Sequence, residues 1–337
     1  MRRLIRISLL LCLLILSSCR HKEFCIHHPH DSRVRVVFDW REAPEADPLG
    51  MCVFFYPVEG GQPYRYDFNN LQGGEITIKV GRYHVLTYNN DTEAVLFKGK
   101  DNFTTHYAYT RFGDIFEPIF GNGYNSMRGQ YADGEDVVIT PDMMWGCIAS
   151  EVEITDDGVC YLCHKTKNPE DAEPVVDAEH IITLYPAELT CIYTYEILNV
   201  TNLKHVTQAC ATISGMAGGL NLCDQVLDSK CVTLPLESYI DKSSSIISGR
   251  FITFGHNEDN EDPHRIELYV WMDDGQKLLY GTDSERFNVT GQVHSAPNKR
   301  RVHLVIDGLD LPQPIENGHG YRPSVDDWDV VEEDIMM

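Results

Sequence analysis

The chain has 337 residues, with 51 acidic against 28 basic side chains and a formal net charge of −23. That excess of negative charge argues against nucleic acid as a partner and against adsorption on anionic lipid. The length suffices for two domains of ordinary size.

At the N-terminus, Arg2, Arg3 and Arg6 accompany an almost wholly apolar stretch from Leu4 to Leu16, the layout of an export signal. A membrane-spanning helix needs about 20 apolar residues, so this stretch is too short to span comfortably. It stops at Leu16-Ser17-Ser18-Cys19 and gives way at once to Arg20-His21-Lys22-Glu23. Leu-Ser-Ser-Cys resembles the lipobox of bacterial lipoproteins. That resemblance implies residues 1–18 as a signal peptide, a diacylglycerol on the Cys19 thiol, an acyl chain on its new amine, and residues 19–30 as a lipidated tether. The alternative is an ordinary secreted protein with a chance cysteine near its cleavage site.

Strand patterns dominate from residue 31 onward. In "RVRVVFDW" the apolar residues Val34, Val36, Phe38 and Trp40 alternate with Arg33, Arg35 and Asp39, a period of two. "MCVFFYP" is a continuous apolar run that fits a strand buried on both faces, and "GGEITIKVGRYHVLTYN" reads as two alternating strands broken at Gly81. Next comes a long irregular stretch, "YTRFGDIFEPIFGNGYNSMRGQYADGED", expected to pack on the first sandwich. Its aromatics, with Tyr107 just before it, offer candidate sugar-stacking residues: Tyr107, Tyr109, Phe112 and Tyr124.

The charged, proline-containing segment at 156–174 is the candidate linker. Beyond it, "HIITLYP", "LTCIYTYEI", "RFITFGH", "RIELYVWM", "KLLYGT" and "RVHLVIDG" are short runs rich in branched and aromatic residues. Asp273-Asp274-Gly275 between two of them is a hairpin signal. Only "LKHVTQACATISGMAGG" and "TPDMMWGCIAS" leave room for a short helix. The expectation is an all-β chain of two tandem antiparallel β-sandwiches, at 31–155 and 175–315, followed by an acidic tail at 316–337 that carries Trp328.

Several motifs invite chemistry. Cys160, Cys163 and His164 fit the C-x-x-C-H haem-attachment pattern, but no helical frame surrounds them. His27, His28 and His30 in the tether are candidate metal ligands, with a polar spacer as the plainer reading. "GHNEDNEDPH" is rich in carboxylates yet lacks the alternating ligands and central glycine of a calcium loop, and reads as solvated. Once Cys12 is removed and Cys19 acylated, nine of the eleven cysteines remain, without a repeated framework, so few structural disulfides are expected. No G-x-S-x-G, H-E-x-x-H, phosphate-loop or dinucleotide fingerprint is present, and a non-enzymatic role without a cofactor is expected.

Taken together, "CRHKEFCIHHPH", "VVFDWREAPEADP", "FYPVEGGQPYRYDF", "GGEITIKVGRYHVLTYNNDTE" and "FNVTGQV" followed by "VHLVIDGLDLPQPI" resemble a family of exported Bacteroides-group lipoproteins carrying a domain of unknown function. That family is similar to the fimbrillin superfamily, in particular to its minor fimbrium anchor lipoproteins. The resemblance implies two transthyretin-like or Ig-like sandwiches, a surface-facing place at the outer membrane held by the lipid on Cys19, and fimbrial subunits as partners. It implies a fimbrial anchor or accessory subunit; a glycan-binding surface lipoprotein is the alternative.

Overall fold

A computed structural model describes residues 31–120, 135–155, 180–282 and 285–314, and the backbone of Asp329–Val330. Cys19, His27, His28, His30, Tyr124, the group from Cys160 to His164, the linker at 156–174 and Trp328 lie outside the described residues.

The first sandwich is built on β1 (Asp31–Phe38), whose alternation sends Val34, Val36 and Phe38 inward and Arg33 and Arg35 outward. β1 pairs antiparallel with β4 (Gly73–Lys79) and parallel with β10 (His180–Leu184). Facing them is a sheet ordered β11 (Ala187–Glu188), β9 (Trp145–Ile154), β5 (Gly81–Asn89), β2 (Met51–Pro57) and β3 (Tyr64–Phe68). β2 is buried on both faces because it serves two cores. Met51, Val53 and Phe55 meet Val34, Val36, Ile76 and Ile78 inside the sandwich, while Cys52, Phe54 and Tyr56 point the other way.

In the second sandwich, β12 (Cys191–Thr201) lies between β17 (Ile246–Thr253), antiparallel, and β20 (Arg301–Asp310), parallel. The short β16 (Tyr239–Asp241) pairs with the start of β17. The opposite sheet runs β21 (Asp329–Val330), β19 (Lys277–Tyr280), β18 (Ile266–Met272), β13 (Val206–Ala217), β15 (Cys231–Glu237) and β8 (Asp136–Val137). The β18–β19 hairpin turns at Gly275, which adopts φ 89°, as the Asp-Gly pair foretells.

The outer face of β2 and β5 is covered by a third sheet made of β6 (Val95–Lys98), β7 (Tyr107–Thr110) and β14 (Gly219–Asn221). β14 comes from the second half of the chain. Phe54, Tyr56, Leu86 and Tyr88 therefore share a core with Ala217, Leu220, Leu222 and Phe254, and the two sandwiches are joined by apolar packing.

Three expectations change. His180–Leu184, in the range given to the second sandwich, adds to β1 of the first; β8, in the range given to the first, adds to β15 of the second. Four strand pairings are parallel, so the sheets are mixed rather than antiparallel throughout. Of the two segments allowed a short helix, the first opens with a single 3-10 turn at Leu203–His205 before it becomes β13, and the second forms β9, where β-branched residues and sheet burial prevail. The α-helices among the described residues are the four-residue α1 (Glu117–Phe120) and the six-residue α2 (Thr290–Ser295). Neither is long and apolar enough to cross a membrane.

Candidate docking site

At one side of the second sandwich the two sheets part. β16 pairs with β17 only through Ile246–Ser248, and β8 pairs with β15 only at Val232 and Thr233. Beyond those points, Arg250–Ile252 of β17, paired with β12 on one side, and Leu234–Glu237 of β15, paired with β13 on one side, have no strand on the other side among the described residues. Between these two lips is a cavity of about 380 Å³, lined also by Ile139–Pro141 and by Glu117 and Pro118 of α1. Pro235 on one lip lacks a backbone donor, a residue that edge strands tolerate and central strands do not.

The groove is closed at one end where β15 meets β17. Tyr195, fully buried, donates its hydroxyl hydrogen to the Glu237 carbonyl at 3.1 Å and lies 2.6 Å from the Ser238 hydroxyl. Gly249 allows this approach, since a Cβ there would lie 2.3 Å from the Tyr195 ring and 2.4 Å from the Glu237 oxygen. On the flank, Arg111 pairs with Glu117 at 2.5 Å, steadying the turn that leads into α1.

The described part of the stretch that leads to α1 divides: Tyr109 and Thr110 lie on β7, in the sheet that covers the first sandwich, whereas Phe116 does not pack there. Phe116 is buried against Tyr269 and Trp271 of β18, with ring centroids 5.2 and 5.6 Å away, on the outer face of the second sandwich. Tyr107 and Tyr109 stand on β7 with centroids 6.4 Å apart, and the Lys98 ammonium lies over both rings, 4.3 and 5.2 Å from their centres. The Tyr107 hydroxyl donates to Asp228 at 2.6 Å. Phe112 is 70% exposed and stands apart from that pair.

His106, which belongs to no motif in the sequence, sits at the junction of the sandwiches. Its Nδ1 is 2.6 Å from the Tyr56 hydroxyl and its Nε2 is 3.1 Å from the Tyr88 hydroxyl. Tyr56 donates to the Lys100 carbonyl at 3.0 Å, so it accepts from Nδ1–H and Tyr88 donates to Nε2. A neutral ring satisfies every partner. Burial, reinforced by the charges of Lys100 and Arg65, lowers its pKa to about 4.

The six described cysteines, Cys52, Cys147, Cys191, Cys210, Cys223 and Cys231, are free. Burial pushes the thiols of Cys52 and Cys147 up to about 12 and that of Cys231 to about 11, far from the thiolate range that nucleophilic chemistry uses.

A stretch of 102 residues is 33% identical to a Bacteroides ovatus protein named "Putative fimbrium anchoring subunit Fim4B", covering 30% of each chain. The match thus spans under a third of that relative. The fold is similar to the crystal structure of "a putative adhesin" from Bacteroides ovatus, with a TM-score of 0.54 and 17% identity over 95% of this chain and 99% of the other. A more remote likeness, with a TM-score of 0.45 and 15% identity over 82% of this chain and 91% of the other, is to the fimbrial anchor protein Mfa2 from Porphyromonas gingivalis. Residues 18–237 match the family described as Domain of unknown function (DUF5119), and with more than half of its length matched the chain belongs to that family.

Proposed function

We propose that the chain is a non-enzymatic cell-surface lipoprotein that anchors a fimbrium or helps to assemble it. The observation that carries the reading is the 33% identity over 102 residues to the relative named as a fimbrium anchoring subunit. Two mechanical parts would do the work. Acyl chains on Cys19 hold the protein in the outer membrane, where several chains give stable attachment and one alone would not. The groove between β15 and β17 receives a strand from the neighbouring subunit, whose backbone groups pair with the open lips while its side chains enter the cavity.

Sugar binding through Tyr107, Tyr109 and Phe112 has less support, because Lys98 already covers the faces of the two tyrosines. The test is affinity isolation of the tagged protein from crosslinked native outer membranes, beside a Cys19→Ala control. Recovery of a second sandwich-type subunit as a ladder, lost from the membrane fraction in the control, is expected. Recovery of the protein alone, or with glycan-uptake components, would overturn the reading.

A further inference from the structure

The carboxylate-rich loop "GHNEDNEDPH" matters for its two ends, His256 and His264. In the fold these rings meet a third, His294 of α2. The ring centroids are 5.6 Å apart for His256 and His264, 5.0 Å for His256 and His294, and 5.2 Å for His264 and His294. Three imidazoles bound through Nε2 to one tetrahedral ion, at bond lengths of about 2.0–2.1 Å, place their centroids about 5.2 Å apart.

The atoms agree with that comparison. His264 Nε2 and His294 Nε2 face one another at 3.2 Å. Two nitrogens sharing a tetrahedral ion are separated by about 3.3 Å. His264 Nδ1 lies 3.2 Å from the Ser214 carbonyl, which can only accept, so Nδ1 carries the proton and Nε2 presents its lone pair. A backbone carbonyl on Nδ1 is the usual outer support of a metal-binding histidine. His256 is supported likewise by the Tyr193 hydroxyl, 2.8 Å from its Nδ1. His256 is only 5% exposed, and its Nε2 is buried without a hydrogen-bond partner. Such an orphan disfavours the fold unless something satisfies it.

The three rings are also held in place. Gly215, at φ +77°, lets His264 pack so close that a Cβ would stand 2.7 Å from its Nδ1. The His264 backbone N–H donates to the Thr290 hydroxyl at 2.8 Å and its carbonyl accepts from Val289 at 2.9 Å, which fixes it to the start of α2. At the rim, Lys299 donates to the His294 carbonyl at 2.6 Å and pairs with Glu258 at 3.4 Å, so the positive charge nearest the cluster has its own counter-ion.

We propose that His256, His264 and His294 form a binding site for a late first-row transition-metal ion, with zinc as the best fit to three neutral imidazoles in a tetrahedral set. Among the described residues no three such donors already surround a common point, so binding draws the free Nε2 of His256 toward the facing pair. The ion would tie the 255–264 loop to α2.

The full-length protein, stripped with a chelator and dialysed, is titrated with zinc by calorimetry and with cobalt(II) by visible absorption. The expected result is one equivalent bound tighter than micromolar, with tetrahedral cobalt bands. Both His294→Gln and His256→Phe, checked for retained sheet content by circular dichroism, should weaken binding about 100-fold or more. A variant with His27, His28 and His30 all changed to Ala should bind as the parent does. Absence of a tight equivalent, binding unchanged in the His294→Gln and His256→Phe variants, or binding lost with the tether histidines would overturn the proposal. If either cluster variant does not fold, tight binding in the tether variant with tetrahedral cobalt bands supports the site, and octahedral bands contradict it.

Discussion

The side-chain amide of Gln292 pairs with the main chain of Val305 as a strand residue would, donating from Nε2 to the Val305 carbonyl at 2.8 Å and accepting the Val305 N–H at Oε1, also at 2.8 Å. Val305 is in the middle of β20, the edge strand of its sheet, and Arg286 covers a second carbonyl of the same edge, that of Gly308, at 2.7 Å. An exposed ten-residue edge is a template for unwanted pairing, and these two side chains occupy it.

Replacing Gln292 by Ala removes both bonds and bares the edge. The expected loss is about 1–3 kcal/mol of stability. The variant should also associate with itself as concentration rises, where the parent does not. Urea denaturation and sedimentation velocity read the two effects separately.

His106 makes the junction between the sandwiches sensitive to acid. Its folded-state pKa of about 4 lies below the ordinary value of 6.5, so the unfolded chain takes up the proton first. Its contribution is therefore complete above pH 6.5 and is lost as pH falls through the folded value, amounting to about 2 kcal/mol between pH 7 and pH 5. The parent should lose about that much more stability over this interval than a His106→Gln variant, measured by urea denaturation at both pH values.

Gly249 sets the closed end of the groove. A methyl group there would collide with the Tyr195 ring and the Glu237 carbonyl. Gly249→Ala should cost about 1–3 kcal/mol, the usual penalty for overpacking a filled site. Gly291, which has nothing within 4 Å of the equivalent position, should accept Ala at little cost. Comparing the two in one thermal-melt series distinguishes local overpacking from a general intolerance of side chains.

Much of this architecture could be read from the residues, because period-two alternation is a local signal. β1, β2, β4, β5, β12 and β17 to β20 all coincide with runs whose apolar spacing announces a strand. The parallel addition of His180–Leu184 to β1 could not be read, since its register depends on a partner some 145 residues earlier in the chain. The same holds for the third sheet, where β7 and β14 find each other across the boundary between the halves. The groove is not legible in the sequence for a related reason. Its lips, Leu234–Glu237 and Arg250–Ile252, look like ordinary strand residues, and only topology leaves them without a neighbour on their outer side. His256 and His264 end a loop whose dominant sequence feature is its carboxylates, while His294 lies 30 residues beyond His264.

The most direct test of the anchor reading is a photo-crosslinking amino acid placed at Ile252, on the groove lip, in the native host, with the same group at the exposed Glu75 of β4 as reference. The account predicts discrete adducts with a sandwich-type surface subunit from Ile252 and none from Glu75. No adduct at Ile252, or the same adducts from both positions, would contradict it.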